Sequence, residues 1–254
     1  MSLKDDIDKT VEYAKSYGCV LRKEQVIERL IGSQIYLNPS VPAVAGTSPL
    51  DRGEKLKKAK RLAKKLSIKF PNILFIGVTG SVAAEFPKKN DDIDLFIIVK
   101  KDTLWITRFW VRYFVWKNKI PHRRYGKIEN KDEFCFNMWL DEEALLLPKV
   151  KQNLHNAVDL VLMKKVYDKE NVYLKFIKTN NWANKYVATP YFNLMSKSPS
   201  PVSNLPLPPS SKKRGHNFFS VINILFFIPQ YIFMWPKMRG QIVDLKRAMW
   251  GEGE

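Results

Sequence analysis

Residues 77–98, GVTGSVAAEFPKKNDDIDLFII, decide how this chain is read. An apolar run ends in the turn Thr79-Gly80-Ser81, and a second apolar run opens with Asp92 and Asp94, one residue apart. In a strand, side chains at i and i+2 share a face, so these two carboxylates would stand side by side. That is how a hard divalent cation is held. Gly80 lets the backbone approach a ligand closely, and a helix starting at Ser81 would turn its free N–H groups toward a phosphate. Phosphate at one end and metal at the other is the equipment for phosphoryl or nucleotidyl transfer.

The flanking sequence supplies a sheet for this stretch. NILFIGV (72–78) reads as a buried strand, 81–85 as a short helix, FPKKND as a loop and IDLFIIV (93–99) as a second strand. Residues 102–118 are helical by length, with Asp102 as N-cap, and EFCFNMWL (133–140) reads as a third strand. Apolar strands alternating with helices predict an α+β fold, a small mixed sheet flanked by helices, with a helical C-terminal half. In that half, helices are expected at 142–147, 151–165 and 170–178.

Further out, Ile7, Val11 and Ala14 at helical spacing predict a helix over 5–17, ended by Gly18, with a second helix over 22–31. The pair reads as a plain helical hairpin; a helix-turn-helix is the alternative, but no basic third helix follows to enter a groove. Residues 51–69 form a strongly basic amphipathic helix, either a solvated face or a patch for phosphate or membrane. These readings divide the chain into a hairpin (1–50), a central sheet domain (51–145), a helical region (146–195), a Pro/Ser-rich linker (196–216) and C-terminal apolar and basic helices (217–254).

Composition sets outer bounds. The 254 residues suffice for a real core, and 45% hydrophobic content with 7 Trp, 10 Tyr and 15 Phe describes a globular protein. A net charge of +18 favours polyanionic partners, with a basic soluble surface as the alternative. Cys19 and Cys135 form no CxxC pair and no cluster with the three histidines, which argues against a zinc site or a disulfide framework and makes a reducing cytoplasm the expected compartment. MSLKDDIDKT lacks the apolar core of a secretory signal. Residues 217–235 are the most apolar stretch, yet Asn217, Ser220, Asn223, Pro229 and Gln230 interrupt them. The interruptions favour a helix packed on the domain over one lying on a membrane surface or crossing it.

VTGS…DDIDLF resembles the core motif of the polymerase-beta-like nucleotidyltransferase superfamily: a hydrophobic strand, Gly-Ser, a spacer and Asp-x-Asp. More loosely, YAKSYGCVLRKEQVIERLI, FCFNMWL, VYLKFIKTNNW and QYIFMWPKMRGQIVDLKRAMW are similar to a bacterial family of stand-alone nucleotidyltransferase-domain proteins that begin with a winged-helix-like region and close in helices. The resemblance implies a nucleoside triphosphate held at Thr79, Gly80 and Ser81, with Asp92 and Asp94 holding two Mg²⁺ (or Mn²⁺) ions. It also implies transfer of a nucleoside monophosphate to a hydroxyl acceptor with release of pyrophosphate; the resemblance does not name the acceptor, and the basic charge points to RNA or another polyanion.

A cation is needed near the leaving group; Arg108 is the expected one, with Lys100 or Lys101 second and ordinary surface charge as the alternative. The superfamily adds a third carboxylate from a neighbouring strand. Here that strand offers Cys135, Asn137 and Trp139 on one face, with Asn137 expected at the key position and Asp132, Glu133 or Asp141 as substitutes at the strand ends. An amide can coordinate a metal but accepts no proton near neutral pH. Two weaker expectations are Trp182 in the core rather than stacked on a base, and His122-Arg123-Arg124 as solvated loop charge rather than a phosphate contact.

Overall fold

The computed structural model describes residues 2–37, 39, 52–88, 90–123, 130–196, 218–235 and 241–249. The linker expected at 196–216 lies outside them beyond Ser196. The fold is α+β. A six-stranded mixed sheet runs in the order β4-β1-β2-β3-β6-β5. The strands are β1 (Ile73–Val78), β2 (Ile93–Val99), β3 (Phe134–Asp141), β4 (Lys164–Asp168), β5 (Ile242–Asp244) and β6 (Arg247–Met249). Among these strands only β2 and β3 pair in parallel, through the crossover helix α5 (Leu104–Lys117) that such a pair requires.

Both faces of the sheet are covered, which is why β1 is buried along its whole length. On one face, Ile93, Leu95, Ile97 and Val99 of β2 pack with α3 (Arg52–Lys69), α5 and α9 (Phe218–Met234). On the other, Phe96 and Ile98 pack with α6 (Leu154–Leu162), α7 (Val172–Thr179) and neighbouring segments. The N-terminal hairpin, α1 (Leu3–Ser16) and α2 (Lys23–Glu28), has a small core of its own around Leu21, Val26 and Leu30. Ile31 ties it to the second face, and Gly32 bridges to Val187 just before α8 (Ala188–Ser196).

Several sequence expectations need correction. The tract read as a helix over 151–165 breaks after Leu162, and Lys164–Asp168 becomes β4, antiparallel to β1. Residues 142–147 form turns instead of a helix. The C-terminal tract is not helical throughout: 242–249 fold into the β5–β6 hairpin, and β6 covers the outer edge of β3. Such short strands acquire stability only from the sheet they join, so their own sequence carries little period-two signal.

The basic helix α3 is less solvated than its charge suggested. Lys55 is fully buried, with Nζ donating to the Asp91 carbonyl at 2.7 Å and to Asp132, while Lys58 reaches the other Asp132 oxygen at 2.7 Å. Lys57, Lys60, Arg61, Lys64, Lys65 and Lys69 remain exposed.

Helix α9 packs on α5, and the polar residues that interrupt it make the attachment. Asn223 is buried and accepts the Trp105 backbone N–H at 2.7 Å; Gln230 donates to the Trp105 carbonyl at 3.0 Å and accepts from Arg108 at 2.8 Å. Among the described residues, no helix is long and apolar enough to cross a membrane. Asn223→Ala leaves the Trp105 N–H without an acceptor in a buried place, so it should cost about 1–3 kcal/mol. Urea unfolding followed by tryptophan fluorescence would record this as a lower midpoint; an unchanged midpoint would mean that apolar contact alone seats α9.

Candidate metal centre

The turn after β1 and the entry to β2 meet at one end of the sheet. Val78 pairs with Leu95, and the Thr79 N–H donates to the Asp94 carbonyl at 3.1 Å. Thr79 is the N-cap of α4 (Gly80–Ala83), and Gly80 takes a left-handed φ of 64°. A Cβ added at Gly80 would overlap the Asp94 carboxylate. The glycine therefore serves two local needs, the positive φ and the close approach of the turn to the acid. Ser81, half-buried, follows in the first turn of α4.

Asp92 and Asp94 flank Ile93, which belongs to the α5-side core, so both carboxylates sit on the opposite face. Asp92 is 5% exposed, and Arg123 donates to its Oδ2 at 3.1 Å. Asp94 pairs in register with Cys135 of β3. One ligand atom from each of Asp92, Asp94 and Cys135 falls within 4.8 Å of the others. Burial pushes the Asp94 carboxyl up to about 8, helped by the negative charges of Asp92 and Asp159; a hydrogen bond with Cys135 and the charge of Arg123 partly oppose this. Burial also raises the Cys135 thiol, and the two aspartates add to it.

The third strand thus contributes a thiol. Its register with β2 shifts between Asp94/Cys135 and Phe96/Met138, placing one extra residue on β3. That bulge turns Trp139 onto the α5 face with Phe136, so Cys135 and Trp139 do not share a face as strict alternation had suggested. Asn137 lies in this irregular part of β3, and its side chain is outside the described residues. The acids at the strand ends are not among the three residues of the cluster. Asp132 is engaged by Lys58 and Lys55, whose hydrogen bonds hold its carboxyl below the usual range although burial alone would raise it. Glu133 sits beside the start of β2, where its backbone carbonyl accepts the Ile93 N–H at 2.8 Å. Asp141 pairs with Val99 at the far end of β3, where it is fully buried and accepts the N–H groups of Asp102 and Glu143.

Both expected leaving-group cations lie elsewhere. Lys100 follows the other end of β2, roughly 20 Å along the strand from Asp94. Arg108 is on α5 across the sheet, 4% exposed and bonded to Gln230. Besides Arg123 on Asp92, the fold brings Lys164 to this end; its backbone pairs with Val78 and its ammonium meets Glu85 at 3.2 Å. Arg22 of the N-terminal hairpin reaches the same Glu85 at 3.7 Å. Sequence reasoning missed Lys164 because β4 was hidden in a helical reading, and missed Asp159 because its helix is distant in sequence. Arg123 was visible as part of a basic triplet, but nothing local pointed it at Asp92. Trp182 is a core residue, its indole N–H on Asn180. Comparison with known protein families and with curated proteins finds no match to this chain.

Proposed function

We propose that this chain is a divalent-metal-dependent nucleotidyltransferase that moves a nucleoside monophosphate from a nucleoside triphosphate to a hydroxyl acceptor. One observation carries the reading: a left-handed glycine turn pressed against Asp94, with Asp92 beside it. The donor set suits Mg²⁺ or Mn²⁺ through the two carboxylates, which are hard oxygen ligands and leave positions open for phosphate. Cys135 does not suit such an ion: its thiol is pushed up, stays protonated and serves Asp94 as a hydrogen-bond partner. A bound ion would supply Lewis-acid stabilisation of the charge that develops on the transferring phosphoryl group.

The chain's own residues account for the rest. Arg123 neutralises Asp92 while no cation is bound. The backbone of the 79–81 turn is the phosphate-facing element, and Lys164 is the candidate for the departing pyrophosphate. Asp159, which lies 3.6 Å from His155 and whose charge reaches Asp94, is the candidate to take the acceptor's proton. The exposed cations of α3 suit a polyanionic acceptor such as RNA.

Asp92→Ala should lose Mn²⁺-dependent triphosphate binding by at least about a hundredfold in calorimetry, since even outer-shell partners of a metal are worth about 10–100-fold. Asp159→Asn should keep that binding and lower the rate of pyrophosphate release. Unchanged Mn-ATP affinity in Asp92→Ala would reject the reading. A second reading, a nucleotide-binding module without turnover, is favoured by the thiol that stands where a basic carboxylate would be. It requires tight Mn-ATP binding with no pyrophosphate released in any acceptor mixture.

A further inference from the structure

Across the sheet from the aspartate pair, α5 and α9 line an open cavity of about 610 Å³, within the size range of small-molecule sites. Its walls are hydrocarbon and aromatic, among them Phe109, Tyr113, Trp116, Leu225, Phe226 and Phe233. Two arginines, Arg108 and Arg112, one helical turn apart on α5, also line it.

Among the described residues, neither guanidinium has an anion. Arg108 donates to the Gln230 amide oxygen at 2.8 Å and to the Met234 sulfur at 3.3 Å, and it lies 5.3 Å from the Trp105 ring, all neutral partners. Arg112, half-buried, makes no hydrogen bond or ion pair among the described residues. No described carboxylate lines the cavity; its remaining ionisable groups are Tyr113 and His122. Buried charges in a structural core are paired, because an unpaired one costs several kcal/mol. Here burial holds both arginines below their usual range, and the charge of Arg112 adds to the effect on Arg108. A buried cation and a half-buried one beside it, with no carboxylate among the described lining residues, are a half-built anion site, and the guanidinium fork matches a carboxylate.

We infer that this cavity binds a long-chain anionic amphiphile of the fatty-acid class, with the head on Arg112 and Arg108 and the tail between α5 and α9. The lining favours a hydrocarbon over a nucleotide. Gln230, which could have read a base edge, is already used by Trp105, Phe226 and Arg108. Apolar side chains are also exposed elsewhere on α9 and just after it, at Phe218, Phe219, Ile228, Ile232 and Trp235.

The test uses the full chain and sodium palmitate below its micellar concentration, read by calorimetry. Saturable one-to-one binding is expected. Hexadecanol, with the same tail and no charge, should bind at least about tenfold more weakly, as should palmitate to Arg112→Met, because a charge-assisted hydrogen bond is lost. Leu225→Trp, at a 61% exposed position on the cavity wall, should block binding by occupying space. Matching unfolding midpoints would confirm that both variants fold. Equal binding of palmitate and hexadecanol, competition by ATP, or unchanged affinity in both variants would overturn the inference. So would attachment to phosphatidylglycerol vesicles without saturable binding of monomeric palmitate, which would make this face a bilayer-docking surface instead.

Discussion

Asparagine in place of Asp94 should abolish Mn²⁺ binding and pyrophosphate release, and it should make the metal-free protein more stable at pH 8. Asp94 is crowded by Asp92 and Asp159, and burial drives its carboxyl from 3.8 to about 8. A carboxyl whose folded pKa is raised favours folding most below its unfolded pKa, where it is protonated in both states. That advantage is lost as pH rises from about 4 through 8, because the unfolded chain has released the proton and the folded chain must still hold it. Wild-type melting temperature should therefore decline across that window in the absence of metal. The amide introduced by Asp94→Asn does not titrate, so this share of the decline disappears. The gain at pH 8 is on the order of 1–3 kcal/mol, and the two proteins should converge below about pH 4. Added Mn²⁺ should raise the melting temperature of wild type alone. Asp92, Asp159, Cys135 and Arg123 also face the site and are coupled to Asp94, so their titration shifts with the substitution and the comparison reads the cluster as a whole. Equal Mn²⁺ affinity in the two proteins would remove Asp94 from the centre.

Asn180→Ala should be among the most damaging single changes to the fold outside that site. Asn180 is fully buried and saturates its side chain. It accepts the Leu147 N–H and the Trp182 indole N–H, each at 2.9 Å, and donates to the carbonyls of Leu145 and Phe176, each at 2.8 Å. One amide thereby joins the end of α7, the segment after β3 and the aromatic core. Alanine strands two donors and the Leu145 carbonyl in a dry environment, for about 3–5 kcal/mol in all. Domains have only about 5–15 kcal/mol of stability, so the urea midpoint should fall steeply and aggregation during expression is expected. A midpoint within experimental scatter of wild type would mean that water enters and replaces the amide.

The parts of this structure that were legible in sequence are those set by short-range rules. Apolar runs of strand length located β1, β2 and β3, and the spacing of Asp92 and Asp94 placed both carboxylates on one face, because each depends only on neighbouring residues. The third position of the cluster was not legible, since it hangs on a register shift between β2 and β3 that strict alternation cannot anticipate; Cys135 stands there, and Trp139 turns away. Lys100 and Arg108 stand away from the cluster for a different reason: closeness in sequence is not closeness in space, since an extended strand carries the chain to the far end of the sheet and α5 returns on the other face. Lys164 and Asp159 come from segments whose placement is a property of the whole topology.

The outer edge of β3 is completed by β6, with Met138 opposite Met249. On a ribosome the strand that carries Cys135 would emerge well before its covering partner. Until residues 242–249 arrive, β3 presents unpaired N–H and C=O groups next to the half-formed aspartate site, a surface that invites strand exchange with another nascent chain. The order of synthesis makes the closing hairpin a late checkpoint on assembly, and a chaperone holding that edge would act most usefully in the interval before it closes.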